Sequence, residues 1–178
     1  MGAALAMPLA AGEAPVPGLG GDLQLMDHAG QPYALHKQPA RTTLLFFGFT
    51  RCTQVCSPAL SQMQAVARHM GMRRPPELLF VTLDPLNDNP AALRAYVARF
   101  GPDIRGLTGT PTQIDDAARR FGVGIQRGGG EPDHSARIYL LGPDHQLVRV
   151  YRLQTPVAQL AKDIASLQDG PQLSALRP

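Results

Sequence analysis

Apolar positions fall into two rhythms along this chain. From Thr42 to Phe49 they run almost unbroken, through Leu44, Leu45, Phe46 and Phe47, over a length too short to cross a membrane. Such a run reads as a central strand covered on both faces. Glu77 to Leu83 has the same character and ends at Asp84-Pro85. Between them the rhythm turns helical: after Ser57-Pro58, the residues Leu60, Met63, Ala67 and Met70 form one stripe. Asn89-Pro90, Thr110-Pro111 and Thr155-Pro156 open three more such segments. A short polar side chain can cap orphan amides, and the proline after it gives up an amide that had no partner, so each pair predicts a helix start.

Strand, helix, strand predicts a parallel pair joined by a crossover. Asp22 to Asp27 and Gln31 to Lys37, around Ala29-Gly30, predict a short hairpin that covers a sheet edge. Arg137 to Leu141 and Gln146 to Leu153, joined through Gly142-Pro143-Asp144-His145, predict a second, antiparallel hairpin before the last helix. The order is that of an α/β, thioredoxin-like single domain: a central mixed sheet flanked by helices, with an N-terminal β-hairpin. Residues 1–21 are rich in Ala, Gly and Pro without a period and read as a flexible leader, residues 22–170 as the domain, and residues 171–178 as a tail.

Composition narrows the function. A chain of 178 residues with 44% hydrophobic content suits one core. The net charge of +3 is carried by scattered Lys and Arg, without the clusters or interleaved aromatics of a nucleic-acid surface. The first residues have neither the basic start nor the apolar length of a signal peptide, and no membrane anchor is visible.

The candidate chemistry sits where the first buried strand gives way to the first helix. Cys52 and Cys56 are the only cysteines, and both occupy that switch, where α/β folds place their sites. Cys56 is expected just outside the helix N-terminus, where the dipole favours thiolate over thiol. A four-residue step lets the loop turn both sulfurs toward one point, for a disulfide, a soft metal ion, or both in turn. The glycine-rich run Arg127 to Pro132 leads into Asp133-His134-Ser135, and in a thioredoxin-like topology that loop passes beside the cysteine loop. His134 is therefore expected to approach the two thiols. Two thiolates and an imidazole suit copper(I), copper(II) with an added oxygen, or zinc with a water. His28, His36, His69 and His145 read as surface or packing residues. Asp84 either starts the turn after its strand by accepting backbone amides or holds the histidine or an incoming metal. In His69-Met70-Gly71-Met72 the thioethers could bind metal, but Met63 and Met70 fall on the inner stripe and read as core.

Gly48-Phe49-Thr50-Arg51-Cys52-Thr53-Gln54-Val55-Cys56, Leu83-Asp84-Pro85 followed by Asp88-Asn89-Pro90, Leu107-Thr108-Gly109-Thr110, and Asp133-His134-Ser135 with Tyr139-Leu140 resemble the Sco (SenC) family. The resemblance runs in order from about Gly21 to Leu167. It implies a copper-binding protein on the periplasmic side of the bacterial inner membrane, usually anchored there, that helps build the dinuclear copper centre of cytochrome c oxidase subunit II. By position it implies Cys52, Cys56 and His134 as copper ligands and Asp84 as the acid near them. The implied partners are that subunit or another cuproprotein, and another copper chaperone or a thioredoxin-like reductant; the chain is expected to act as a monomer. The family commonly has a proline after each cysteine, where Thr53 and Ser57 stand here. The competing reading is an enzyme, a thiol-disulfide oxidoreductase in which one cysteine attacks and the other resolves. Peroxide reduction is a third chemistry open to the fold, without a motif of its own in this sequence.

Overall fold

The structure is a computed structural model, and it describes residues 18–52, 54–71, 74–125 and 136–169. Seven strands form one sheet: β1 (Gln24–Asp27), β2 (Pro32–Ala34), β3 (Thr43–Gly48), β4 (Glu77–Thr82), β5 (Ile104–Thr108), β6 (Arg137–Leu141) and β7 (Leu147–Arg152). Their spatial order is β2-β1-β5-β4-β3-β6-β7. β3, β4 and β5 run parallel, with Phe46 opposite Phe80 and Phe80 opposite Gly106. The N-terminal hairpin continues the sheet from β5, and the β6–β7 hairpin continues it from β3, both antiparallel. This is the mixed thioredoxin-like sheet that the order of elements predicts, and the hairpin covers an edge as expected.

Strand β5 is an addition to the sequence reading. Its five residues, Ile104-Arg105-Gly106-Leu107-Thr108, hold a glycine and an arginine among few apolar positions, so no period marks them. Pairing with β4 on one side and β1 on the other makes it a strand, which is tertiary context overriding weak local preference.

Alternation along the strands divides the core in two. Leu44, Phe46, Leu78, Phe80, Ile138 and Leu140 face α1 (Cys56–Met70), α2 (Pro90–Val97) and α4 (Val157–Asp169). Leu45, Phe47, Leu79, Val81, Tyr139 and Leu141 face α3 (Pro111–Arg120) and the N-terminal hairpin. Met63 is fully buried and Met70 packs against the first of these clusters, so both methionines belong to the core. Met72 lies outside the described residues.

The helix starts mostly follow their signals. Asn89 caps α2 by accepting from the Ala92 amide, and Thr110 forms a full capping box with Gln113 on α3. The first helix departs from expectation: it begins at Cys56, its cap residue is Val55, and no side chain caps it. Pro58 is then its third residue, still inside the first turn whose amides lack intrahelical partners, so the proline is tolerated there without marking the start. The ladder opens with the Ala59 amide donating to the Val55 carbonyl at 3.1 Å. Within the expected leader, Leu19 packs on the α3-side core and the Gly20 amide donates to the Arg120 carbonyl at 2.7 Å; residues 1–17 lie outside the described residues. Among the described residues no helix is long and apolar enough to cross a membrane.

Candidate metal and thiol site

Both cysteines stand at the carboxyl end of β3, and both are free thiols. They are more deeply buried than a transfer loop would suggest, at 6% exposure for Cys52 and 1% for Cys56. The backbone makes room for the inner one at Gly48. A Cβ there would lie 2.6 Å from the Cys56 sulfur, with Phe80 and Phe46 ring carbons at 3.0 and 3.1 Å. Any side chain at position 48 would occupy the space of the thiol, so the strand ends in glycine where the sulfur must pass over it.

Electrostatics at Cys56 run against the helix-dipole expectation. Burial pushes its thiol above the ordinary range, a hydrogen bond with the Cys52 thiol and the charge of Cys52 add to this, and Asp88 raises it further. A bond with the Phe49 backbone lowers it without reversing the direction. Cys56 lies in the first turn of the helix, and desolvation of a thiolate outweighs the partial charge of the helix end. The two thiols nonetheless lie in one cluster and close enough to interact, in keeping with the convergence that the four-residue step predicts.

The loop between the thiols and β3 is held by the segment after β4. Asp88, 1% exposed, accepts from the Thr50 amide at 2.9 Å, the Thr50 hydroxyl at 2.6 Å and the Thr82 hydroxyl at 2.6 Å. Asp84 opens the turn after β4, as one of its two expected roles has it, though through its carbonyl, which accepts from the Asn87 amide at 3.1 Å and the Asp88 amide at 2.8 Å. Its carboxylate pairs with the Arg51 guanidinium at 2.6 Å and accepts from the Asn87 side chain at 2.9 and 3.0 Å, while the amides of the turn go to its carbonyl and to Thr82. The Tyr96 hydroxyl of α2 donates to the Cys52 carbonyl at 3.3 Å. Asp88 is the functional neighbour that residue-by-residue reading passed over. Its signal was an acid directly before the α2 cap, four residues after Asp84.

His134, with Asp133 and Ser135, lies outside the described residues. Among the described residues no third His, Cys, Asp or Glu joins the two thiols in a metal-binding group. Two of the other histidines have structural partners. His36 pairs with Asp22, and His28 accepts from the Gly106 amide at 2.9 Å. A groove of about 600 Å³ lined by His69, Met70, Arg74, Lys162 and Gln168 lies at the other end of α1 from Cys56, so the open space and the chemistry do not coincide.

Comparison with known proteins follows the same residues. The SCO1/SenC family model matches residues 12–169. The mitochondrial SCO2 homolog of Mus musculus is 34% identical over 155 residues, which cover 81% of this chain and 60% of that protein. The chain thus spans less than two thirds of that relative. Yeast Sco1 with copper bound superposes with a TM-score of 0.80 at 26% identity, covering 92% of this chain and 100% of the other. Bradyrhizobium japonicum ScoI with copper bound gives 0.73 at 30% identity, covering 84% and 99%.

Proposed function

The chain belongs to the SCO1/SenC family, and from that membership we propose that it is a copper carrier whose cargo is held by Cys52, Cys56 and His134. The observation that carries this reading is the pair of free, buried and interacting thiols at the end of β3. Sulfur donors of this kind select copper(I), which accepts few ligands and needs no water among them. A cation also supplies the charge that burial denies to the Cys56 thiolate, so binding would release protons from the pair. Cys52, the less buried of the two, is the sulfur from which a partner's ligands would take the metal.

The family is one of cytochrome c oxidase assembly proteins. The acceptor is then the dinuclear copper site of oxidase subunit II or another cuproprotein, met on the periplasmic side of the inner membrane. The same pair of thiols supports a second reading, reduction of the acceptor's own disulfide, which needs the sulfurs and not the histidine.

The test is anaerobic titration of copper(I) against a competing chelator, with Cys52→Ser, Cys56→Ser and His134→Ala beside the unaltered protein. One tightly held copper, loosened by orders of magnitude in all three variants, is the expected result. Binding indifferent to His134→Ala, with ready exchange between the thiol pair and a partner disulfide, would replace the carrier reading with the reductase one.

A further inference from the structure

The two thiols are mounted on different parts of the scaffold. Cys56 is the first residue of α1, packed over Gly48 of β3. Cys52 is held from the other side. Thr50, two residues before it, is bound through both amide and hydroxyl to Asp88, and the Cys52 carbonyl accepts from the Tyr96 hydroxyl. Asp88 and Tyr96 both belong to the segment that leads into and forms α2, and the Thr82 hydroxyl ties Asp88 in turn to the end of β4. Together with the 3.0 Å bond from the Cys52 amide to the Phe49 carbonyl, the stance of the α2 segment against α1 therefore sets the position of one sulfur relative to the other.

From this we infer that Asp88 is the positioning residue of the thiol pair: by anchoring Thr50 it fixes where Cys52 stands relative to Cys56. Its bonds are the strong members of the set. A carboxylate accepting from an amide and two hydroxyls gives charge-assisted contacts at 2.6 to 2.9 Å, whereas the Tyr96 bond is a neutral one at 3.3 Å. Burial strengthens them further, because no water competes for Asp88 at 1% exposure. Asp84, four residues earlier, holds Arg51 instead, whose side chain is 68% exposed, and such a pair constrains little.

The inference rests on the carrier reading for one of its two tests only. The first equilibrates the protein with reduced and oxidised glutathione. Cys52 and Cys56 lose two electrons and two protons and form one S–S bond, while glutathione disulfide accepts them and leaves as two molecules of reduced glutathione. The equilibrium constant reports how well the two sulfurs are placed for each other. The second is the copper(I) competition. Asp88→Asn keeps the shape of the side chain and weakens the anchoring of Thr50. Tyr151→Phe serves as the control: it removes a buried 2.7 Å bond to Asp163 in the same core cluster, one that involves neither thiol nor Thr50.

Asp88→Asn is expected to change the disulfide equilibrium by about tenfold and to weaken copper binding in step, with Tyr151→Phe leaving both as they were. If the folded Asp88→Asn protein keeps the disulfide equilibrium of the unaltered chain, or if Tyr151→Phe moves it equally, the positioning role is overturned. Should Asp88→Asn fail to fold, Thr50→Val, which deletes the 2.6 Å hydroxyl contact alone, decides by the same criterion. An unaltered protein that binds no copper sinks the carrier reading, and the glutathione equilibrium still decides on Asp88.

Discussion

Phe47 and Gly48 are neighbours in β3, and the pleat sends them to opposite faces of the sheet, where the two cores close in opposite ways. Phe47 meets Phe121 at 5.4 Å and Tyr139 at 5.8 Å, and those two rings meet each other at 5.5 Å, so three aromatics form a closed triangle on the α3 side. On the α1 side Gly48 contributes no side chain, and the space is taken by the sulfur of Cys56. The rings there, Phe46, Phe80, Tyr96 and Phe100, form an open chain of pairwise contacts that leads past the thiols. One face is packed to hold the sheet together. The other gives up packing at a single point so that reactive atoms can be buried in it. Stability and chemistry are thus separated across one strand by one residue.

The largest expected effect tests the first half of that separation. Phe47→Ala removes a ring from the closed triangle and costs about 3–5 kcal/mol of stability, read as a lower urea midpoint. The copper(I) affinity of the protein that remains folded is expected to be unchanged, and a loosened copper would show that the two faces are not independent. Gly48→Ala is the converse. Its methyl meets the Cys56 sulfur at 2.6 Å, so the thiol must shift. Overpacking of this kind costs about 1–3 kcal/mol, less than the loss of Phe47, yet copper(I) binding should weaken by about tenfold or more, since displacement of a ligand falls on the site directly. A Gly48→Ala protein with full copper affinity would mean that Cys56 can move without consequence.

The fold was largely legible because its elements carry redundant signals. The unbroken runs in β3 and β4, the stripes on α1, α2 and α4, and the cap-proline pairs point to the same elements, with only the start of α1 misplaced. Strand β5 was not legible, because its place between β4 and β1 comes from pairing partners distant in sequence and not from its own residues. At the site, the convergence of Cys52 and Cys56 followed from spacing alone. Their burial did not, since it depends on Gly48 lying beneath the sulfur, a relation between a strand end and a helix start that no local pattern encodes. For the same reason the helix dipole was the wrong guide to Cys56. Asp84 and Asp88 look alike in sequence, and only the structure separates the half-buried one that holds the exposed Arg51 from the buried one that holds Thr50.

The smallest effect belongs to the α3 side, at the hairpin that extends the sheet. Burial alone would raise the pKa of Asp22, but its bonds from the His36 amide at 3.0 Å, Gln24 at 3.1 Å and the His36 ring at 2.7 Å prevail, and the carboxyl lies below its ordinary 3.8. A folded-state pKa below the unfolded one means that the carboxylate stabilises the fold above the ordinary carboxylate range. That contribution is lost as pH falls through 3.8 toward the lower folded value. Asp22 is half-buried and its His36 partner is 52% exposed, so screening limits the amount to about 0.5 kcal/mol. Urea midpoints measured from pH 6 down to about pH 3 should therefore fall slightly less steeply in Asp22→Asn than in the unaltered chain. Gly48→Ala, lowered at every pH, should keep the unaltered slope. A change of slope in Gly48→Ala would show that the hairpin and the thiol pocket share a free energy, and the division across β3 would have to be redrawn.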